Sequence, residues 1–358
     1  MRVLTVNAGS SSLKLSVVDA DDRVLTSTEA DGDGAGPDAL RAFVDVAGDV
    51  DAVAHRIVHG GPSIRRATLV DDDVRSRLEE AAALAPLHVP AALRLLDSAR
   101  RLIDRPQIAC VDTAFHSTIP ESASTYAIPL AWRELGVRRY GFHGLSYAWA
   151  TRRAAELLDR PVDRLQMLIT HIGSGVSVCA VRGGRSVDTS MGFTPMEGAV
   201  MATRSGSVDP GALLWLQEAQ GVAAAEISAS LEHSSGLLAL CGLSDMREVE
   251  VAGAGGDVTS SAALDVYIHS LCRNLGAMAA SLDHVDALVF TGGVGEHSVL
   301  VRSRVCAGLR ILGMGDVSTA DGGDAVIARR PQEPWVVVVT AREDAQMARE
   351  TRQILSAR

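Results

Sequence analysis

The chain has almost no lysine. Lys14 is the only lysine among its 34 basic Lys and Arg side chains, and every other one is arginine. Aromatic residues are also scarce, at 4% of the 358 residues. The 44 acidic residues give a net charge of −10, and the positive side chains are dispersed along the chain. A dispersed minority of cations does not form the basic patch that binds nucleic acid, so we expect no nucleic-acid partner.

Closely spaced cysteines and long apolar runs are absent as well. The five cysteines are far apart, and no pair has metal-ligand spacing, which is typical of reduced thiols in a cytosolic protein. No apolar run approaches the length of a membrane span, and the first residues do not resemble a signal peptide. We therefore expect a cytoplasmic protein with no membrane partner. Its length exceeds the ~250–300 residues at which single cores stop growing, which favours two domains.

The lone lysine closes a segment of small polar residues, 7–14, between two apolar stretches at residues 3–6 and 15–18. Glycine and serine let backbone amides approach an anion, and an ammonium adds a compact positive charge. The segment therefore suits a nucleotide phosphate. An ordinary Ser/Gly hairpin turn with a chance lysine remains the alternative.

Residues 168–181 repeat the pattern of residues 4–17 about half a chain later. In each copy an apolar strand ends at a polar side chain, Asn7 or His171, with Gly9 or Gly173 two residues on and a second apolar strand after it. Strands and helices alternate between and after the copies, which favours α/β domains. The repeat suggests two homologous domains that clamp nucleotide phosphates, as in the actin, sugar-kinase and Hsp70 architecture. A common strand–Gly–Ser–strand pattern is the alternative.

Further polar groups follow the predicted strands, where chemistry is usually located. They lie in residues 55–61, 112–116, 140–144 and 203–206. They include two arginines, an aspartate, and a histidine that has a glycine on each side within two residues. Singly, each has an ordinary explanation as a helix cap or a solvated loop residue. Together they form a set suited to handling anions. No Ser-His-Asp nucleophile elbow, Gly-x-x-x-x-Gly-Lys-Ser/Thr motif or zinc motif is present.

These segments, taken in order, resemble the acetate kinase family along nearly the whole chain. Nine blocks carry the resemblance, and their order along the chain makes it highly specific. The blocks are residues 7–14, 55–61, 112–116, 140–144, 191–198, 203–206, 244–247, 290–296, and Glu343 with 348–351.

The resemblance implies an α/β fold of two duplicated actin-like (ribonuclease H-like) domains with an ATP cleft between them. We expect residues 1–114 with 345–358 to form the first domain. Residues 115–344 would form the second, which binds nucleotide and mediates dimerisation. The implied reaction is reversible phosphoryl transfer from ATP to acetate by a homodimer, with Mg²⁺, or Mn²⁺ in its place.

The resemblance also assigns roles to individual residues. It implies Asn7 and Glu343 as metal-associated, and Asp112, His143, Arg204 and Arg56 as catalytic. The apolar pocket around the acceptor's methyl group would contain Val58, Leu87, Phe142 and Pro195, with Arg56 beside it. The implied nucleotide contacts are Lys14, Ser10, Ser12, His171, Gly173, Ser174, Gly175, Asp245, Met246, Arg247, Gly293, Val294, Gly295, Glu296 and His297.

Physical chemistry agrees with a carboxylate acceptor. A carboxylic acid has a pKa of ~4–5 and is already ionised at neutral pH, so it needs no general base. The obstacle is bringing one anion to another, which arginines, a histidine and a divalent cation address by neutralising charge. We therefore interpret Asp112 as a positioning group and not as a base.

The sequence departs from the family pattern at a few positions. The family usually has asparagine at the positions of Ser174, His297 and Val89, and Thr and His where Leu145 and Tyr147 stand. These changes leave nucleotide preference open. A propionate or other short-chain carboxylate kinase is the first alternative function. A non-catalytic actin-like ATP-binding protein is a remote one, because it predicts loss of the acceptor-side residues, which are present.

Overall fold

The computed structural model describes residues 1–9, 12–31, 36–85, 89–318, 323–328 and 334–357. Contacts divide the chain into two compact units. Unit 1 comprises residues 1–117, 142–149 and 342–358, and unit 2 comprises residues 118–141 and 150–341.

Unit 1 contains a six-stranded mixed sheet with the order β3-β2-β1-β4-β6-β5. β1 and β2 form an antiparallel hairpin in which Asn7 pairs with Lys14, and β1, β4 and β6 run parallel. Helices cover both faces of this sheet, so the central strands are apolar on both sides. Its strands are β1 Val3–Ala8, β2 Ser12–Val18, β3 Val24–Asp31, β4 Ala52–Ile57, β5 Thr68–Leu69 and β6 Gln107–Val111.

Unit 2 contains a second six-stranded sheet with the order β11-β12-β10-β7-β8-β9. Read from the other edge, this is the strand order of unit 1, with β7 and β8 as its antiparallel hairpin. The duplication predicted from the repeated hairpin sequence is therefore confirmed at the level of topology. Its strands are β7 Gln166–Ile172, β8 Val176–Arg182, β9 Arg185–Thr189, β10 Ala287–Thr291, β11 Ala325–Ala328 and β12 Trp335–Val338.

Five of the described helices begin at a side-chain cap. Aspartates at 71, 209, 245 and 257 and Ser298 accept backbone N–H groups at the first turns of their helices, which satisfies donors that the helix leaves unpaired. In chain order the helices are α1 Gly36–Ala47, α2 Asp72–Ala81, α3 Val89–Leu102, α4 Glu121–Ser124, α5 Leu130–Glu134, α6 Gly144–Leu157, α7 Pro210–Glu218, α8 Ala224–His233, α9 Gly236–Cys241, α10 Met246–Ala254, α11 Val258–Ala279, α12 Gly293–His297, α13 Val299–Gly308 and α14 Glu343–Ser356.

Two apolar layers sandwich the unit 1 sheet. Leu4 and Val6 face α1 and α3 on one side, whereas Val3 faces α14 on the other, as the period of two of a strand requires. Leu145 at the start of α6 joins the α14 side. Residues 142–149 therefore belong to unit 1.

Helix α11 shows how unit 2 buries a helix. Leu264, Ile268, Leu271 and Leu275 recur at helical spacing and are all buried. Among the described helices, none is long and apolar enough to cross a membrane.

Candidate active site

Arg56 and Asp112 meet at the carboxyl edge of the unit 1 sheet. Arg56 is near the end of β4, Asp112 directly follows β6, and these strands are parallel neighbours. The Arg56 guanidinium donates to the Asp112 carboxylate from Nη2 at 2.6 Å and from Nε at 3.0 Å. Both of these bonds reach Asp112 Oδ2, and Nε also donates to Oδ1 at 3.3 Å, so the contacts restrict the plane of the guanidinium as well as its position.

Asn7 and Glu343 complete a four-residue network around Arg56. Arg56 Nη1 donates to Asn7 Oδ1 at 3.0 Å and lies 3.7 Å from a Glu343 carboxylate oxygen. Asn7 Nδ2 donates to the same Glu343 oxygen at 2.8 Å. The structure thus brings together the two predicted metal residues and two of the predicted catalytic residues.

Burial dominates the electrostatics of this network. It raises the pKa of Asp112 to about 6, against the opposing effect of the Arg56 guanidinium. Burial also acts to lower the pKa of Arg56, but the Asp112 and Glu343 carboxylates outweigh it and raise that pKa. Arg56 is therefore a permanent cation whose charge is already balanced by its neighbours.

The segment that carries His143 is fixed to Asp112 through a glycine. The Gly144 N–H donates to the Asp112 carbonyl at 3.0 Å, and a Cβ at position 144 would lie 2.0 Å from that oxygen. His143 itself has φ of +59°, a left-handed conformation that is uncommon outside glycine. Such a conformation persists only where surrounding contacts enforce it, as at functional sites.

The predicted acceptor-pocket residues of unit 1 are mostly buried. Phe142 is 1% exposed, and its carbonyl accepts a hydrogen bond from His116 Nε2 at 2.9 Å. The ring of His59 meets that of Phe142 edge-on at 5.6 Å. Val58 is also buried. Leu87 was also predicted for this pocket, but it lies outside the described residues. The remaining predicted pocket residue, Pro195, belongs to unit 2.

Arg204 of unit 2 has a different environment. It lies in an irregular loop, and its Nη1 donates to the Pro195 carbonyl at 3.2 Å and contacts Met201 Sδ at 3.7 Å. Within the described part of the chain, no carboxylate forms a salt bridge with it. Burial lowers the pKa of Arg204, and the more distant Glu232 only partly opposes this. The guanidinium is thus a partly desolvated cation with neutral protein partners.

Two predicted nucleotide segments follow neighbouring parallel strands of unit 2. His171 at the end of β7 pairs in register with Thr291 at the end of β10, so residues 173–175 and 293–297 begin at the same sheet edge. Gly292 has φ of +80°, and a Cβ there would be 2.8 Å from the Ile172 carbonyl oxygen. The Ala202 N–H donates to the Ser174 carbonyl at 3.2 Å, which places the Arg204 loop beside the hairpin tip.

The predicted nucleotide segment 293–297 is itself held by the carboxylate of Glu296. Glu296 Oε1 accepts from the Ala341 N–H at 2.9 Å, and burial raises the pKa of Glu296. Gly293, Val294, Gly295 and His297 form the rest of the short helix α12 with it.

The third predicted nucleotide segment, 245–247, forms the start of α10. Asp245 caps that helix and holds the Arg247 guanidinium at 2.5 Å, while Met246 is buried. Glu250 of α10 hydrogen-bonds Ser298, the residue after His297. This contact links helix α10 to the residue that follows α12.

The first hairpin is less fully described. Ser10 lies outside the described residues, and for Ser12 only the backbone, at the start of β2, is described. Lys14 lies on β2 opposite Asn7, its ammonium 3.4 Å from Glu29, with 58% of its side chain exposed. The ammonium is therefore accessible to solvent, and its predicted phosphate contact stays a prediction.

Sequence reasoning missed a partly buried cluster in unit 2 formed by Tyr126, Arg139 and Glu197. Tyr126 Oη donates to Glu197 Oε2 at 2.5 Å, and Arg139 Nη2 donates to Glu197 Oε1 at 2.8 Å. The only sequence signal was the position of Glu197 inside block 191–198. Nothing local to Tyr126 indicates a partner 71 residues away.

The oxygen donors of unit 1 are compatible with a divalent cation. Among the described residues, no group of three or more His, Cys, Asp and Glu side chains could hold a metal alone. Mg²⁺, however, usually takes one or two protein carboxylates and completes its shell with water and substrate phosphates. The adjacent Glu343 carboxylate and Asn7 amide oxygen match that donor set.

Comparison with known proteins identifies the family of the chain. The family model described as the acetokinase family matches residues 38–349. An acetate kinase of Synechococcus sp. (strain JA-2-3B'a(2-13)) is 44% identical over 306 residues, covering 81% of this chain and 76% of that protein. The acetate kinase of Thermotoga maritima is 38% identical over 398 residues and 99% of each chain.

Solved structures give the same result. The acetate kinase of Porphyromonas gingivalis has a TM-score of 0.89 at 34% identity, covering 99% of each chain. A propionate kinase from Francisella tularensis has a TM-score of 0.91 at 30% identity, covering 98% of each chain. The predicted actin-like α/β fold and the predicted family are both confirmed, and the chain belongs to the acetokinase family.

Proposed function

We propose that the protein transfers the γ-phosphoryl group of ATP directly to acetate, reversibly, giving acetyl phosphate and ADP. Arg204 carries the proposal. It is a partly desolvated guanidinium that contacts the Pro195 carbonyl and Met201 but no carboxylate within the described residues. Partial burial of a cation without an anionic partner carries a desolvation cost. Binding the acceptor carboxylate or the transferring phosphoryl group would remove that cost.

The Asp112 contacts support a reaction without a general base. Both Asp112 oxygens accept hydrogen bonds from Arg56, so the carboxylate orients a guanidinium and is not directed at a substrate proton. An acetate acceptor has no proton to remove at neutral pH. Asp112 would therefore keep Arg56 in place, and Arg56 and His143 would contact the acceptor and the phosphoryl oxygens.

Asn7 and Glu343 would hold Mg²⁺, or Mn²⁺ in its place. When bound, the cation supplies positive charge to the ATP phosphates, which favours attack by an anion. On the protein side, Glu343 is already oriented by Asn7 at 2.8 Å. The ATP contacts would come from Lys14, the first hairpin, and segments 171–175, 245–247 and 293–297.

Propionate is the second candidate acceptor. The similarity to the Francisella tularensis propionate kinase, at a TM-score of 0.91, favours testing it. Val58 and Phe142 would contact the acceptor's alkyl group together with Pro195 and Leu87. A non-catalytic ATP-binding role is disfavoured by the intact Arg56–Asp112 pair and by Arg204.

We further propose a cytoplasmic homodimer. Helix α7 buries none of its residues within the chain, and Leu214 and Trp215 are 55% and 57% exposed. Exposed apolar side chains of this size commonly mark protein interfaces.

The domain assignment, residues 1–114 with 345–358 and residues 115–344, also remains a proposal.

The test is direct detection of acyl phosphate. The purified protein is incubated with ATP and Mg²⁺ and with acetate, propionate or butyrate, and hydroxylamine traps any acyl phosphate formed. We expect acetate to give the highest kcat/KM. Omitting the carboxylate is the control for simple ATP hydrolysis. A trapped product no greater than this control with all three acids would overturn the proposal.

A further inference from the structure

We propose that Tyr126, Arg139 and Glu197 are positioning residues for the acceptor side of the site. They hold the irregular segment 192–197 so that the Pro195 carbonyl orients the Arg204 guanidinium. The inference rests on the proposed function and adds residues that set the affinity for the carboxylate.

The position of Arg204 depends on an irregular segment. Its guanidinium contacts the Pro195 carbonyl at 3.2 Å and Met201 Sδ at 3.7 Å. Pro195 lies in neither a helix nor a strand, so no regular hydrogen-bond ladder fixes its carbonyl. Other contacts must therefore hold this segment if Arg204 is to keep one orientation.

The first end of the segment is fixed by three backbone contacts. The Gly192 carbonyl accepts from the N–H groups of Tyr140 at 3.0 Å and Gly141 at 3.3 Å. The Phe193 N–H donates to Tyr126 Oη at 3.0 Å. The phenol hydroxyl thus acts as an acceptor for the backbone of this segment.

The second end is fixed by the carboxylate of Glu197. Its Oε2 accepts from the same Tyr126 hydroxyl at 2.5 Å, and its Oε1 accepts from Arg139 Nη2 at 2.8 Å. Arg139 Nη1 also donates to the Ser190 carbonyl at 3.1 Å, so Arg139 joins the residues on both sides of the segment. Its guanidinium lies over the Tyr126 ring, 5.5 Å from the centroid.

Gly192 makes this arrangement sterically feasible. A Cβ at position 192 would lie 1.8 Å from Glu197 Oε2 and 2.0 Å from Tyr126 Oη. Burial raises the pKa of Tyr126, and so does its hydrogen bond to Glu197. The hydroxyl therefore keeps its proton and can donate to Glu197 while it accepts from Phe193.

Tyr126→Phe tests the inference because it removes only the hydroxyl that joins the two ends. We expect the KM for acetate to rise about tenfold, as for loss of a hydrogen bond to a charged group. The KM for ATP should stay within about twofold, since the hydrogen bonds of this cluster within the described residues go to Ser190, Phe193 and one another and not to the predicted nucleotide segments. Glu197→Gln keeps an acceptor for the hydroxyl and should give a smaller rise.

Asp286→Asn is the matched control. Asp286 pairs with Arg160 at 3.0 Å and accepts the Gln166 N–H at 2.8 Å, at the amino ends of β7 and β10. Its loss should lower the melting temperature with no change in the KM for acetate. Acetate KM values for Tyr126→Phe and Glu197→Gln that match the wild type would overturn the inference alone. A wild-type chain that forms no acyl phosphate would overturn the proposed function and this inference with it.

Discussion

Arg56 of unit 1 and Arg204 of unit 2 have opposite electrostatic environments. Arg56 donates to both oxygens of Asp112 and lies near Glu343, which raises its pKa. Arg204 contacts a carbonyl and a thioether, and burial lowers its pKa. One guanidinium is neutralised by the protein, while the other retains its positive charge for a ligand.

This difference distinguishes two functions of arginine, orientation of neighbouring groups and attraction of an anion, that the sequence alone does not distinguish. A guanidinium already paired with carboxylates adds little net attraction for a further anion, but it orients its neighbours rigidly. A buried guanidinium with neutral partners attracts an anion strongly, because the low local dielectric weakens the field less than water does. We therefore expect Arg56 to act mainly through geometry and Arg204 mainly through charge.

The largest expected effect is that of Arg204→Ala. Removing the unneutralised charge should slow turnover by at least ~10²-fold, since such stabilisation acts on the transition state. Steady-state kinetics with acetate and ATP would measure it. Arg182→Ala, which removes an exposed arginine of the same unit, is the control. Wild-type turnover with weaker acetate binding would instead show that Arg204 only binds the acceptor.

Asp112→Asn should sharpen the contrast by removing the group that neutralises Arg56. The wild-type kcat/KM should fall as the pH drops through about 6, because protonation of Asp112 weakens its hold on Arg56. The decrease should approach about tenfold per pH unit. The variant should lack this decrease and have low activity throughout. A pH profile of the same shape for both proteins would contradict the role of Asp112.

Acid stability should also differ between the two units. His55, His59 and His116, all in unit 1, have pKa values lowered to about 4, and burial is the main cause for each. The folded state keeps these histidines neutral, whereas the unfolded chain binds protons below the ordinary pKa of 6.5. Stability is therefore lost as the pH falls from about 6.5 towards 4, by up to ~3 kcal/mol for each histidine.

Hydrogen exchange at decreasing pH would show whether unit 1 opens before unit 2. His55→Gln should shift that opening to lower pH if the variant folds. His233→Gln, at an exposed position of α8, should leave it unchanged. Simultaneous opening of both units at every pH would refute the expected difference.

The smallest expected effect concerns Lys14→Arg. We expect the KM for ATP to rise about threefold and the KM for acetate to stay constant, because a planar guanidinium replaces a compact ammonium. Glu29→Gln removes the partner of Lys14, 3.4 Å away, without changing the ammonium, and should not raise the KM for ATP. Unchanged kinetics for Lys14→Arg would show that the lone lysine has no special role.

Local sequence patterns predicted much of the fold and part of the site. Alternating and continuous apolar runs identified the hairpins β1–β2 and β7–β8, which have the same place in their sheets. Parallel strands end at one sheet edge, so polar residues at the ends of neighbouring strands lie close together. Arg56 and Asp112 do so.

The sequence by itself therefore determined the strand ends, the duplication and the types of residue available for anion binding. Only the tertiary structure decided which of these residues form hydrogen bonds and ion pairs with one another. Asn7 meets Glu343 across 336 residues, and Tyr126 meets Glu197 across 71. The physical reason is the sequence separation of the residues that interact. Strand periodicity depends on neighbouring residues, whereas burial and the number of carboxylates around a guanidinium depend on contacts between distant parts of the chain.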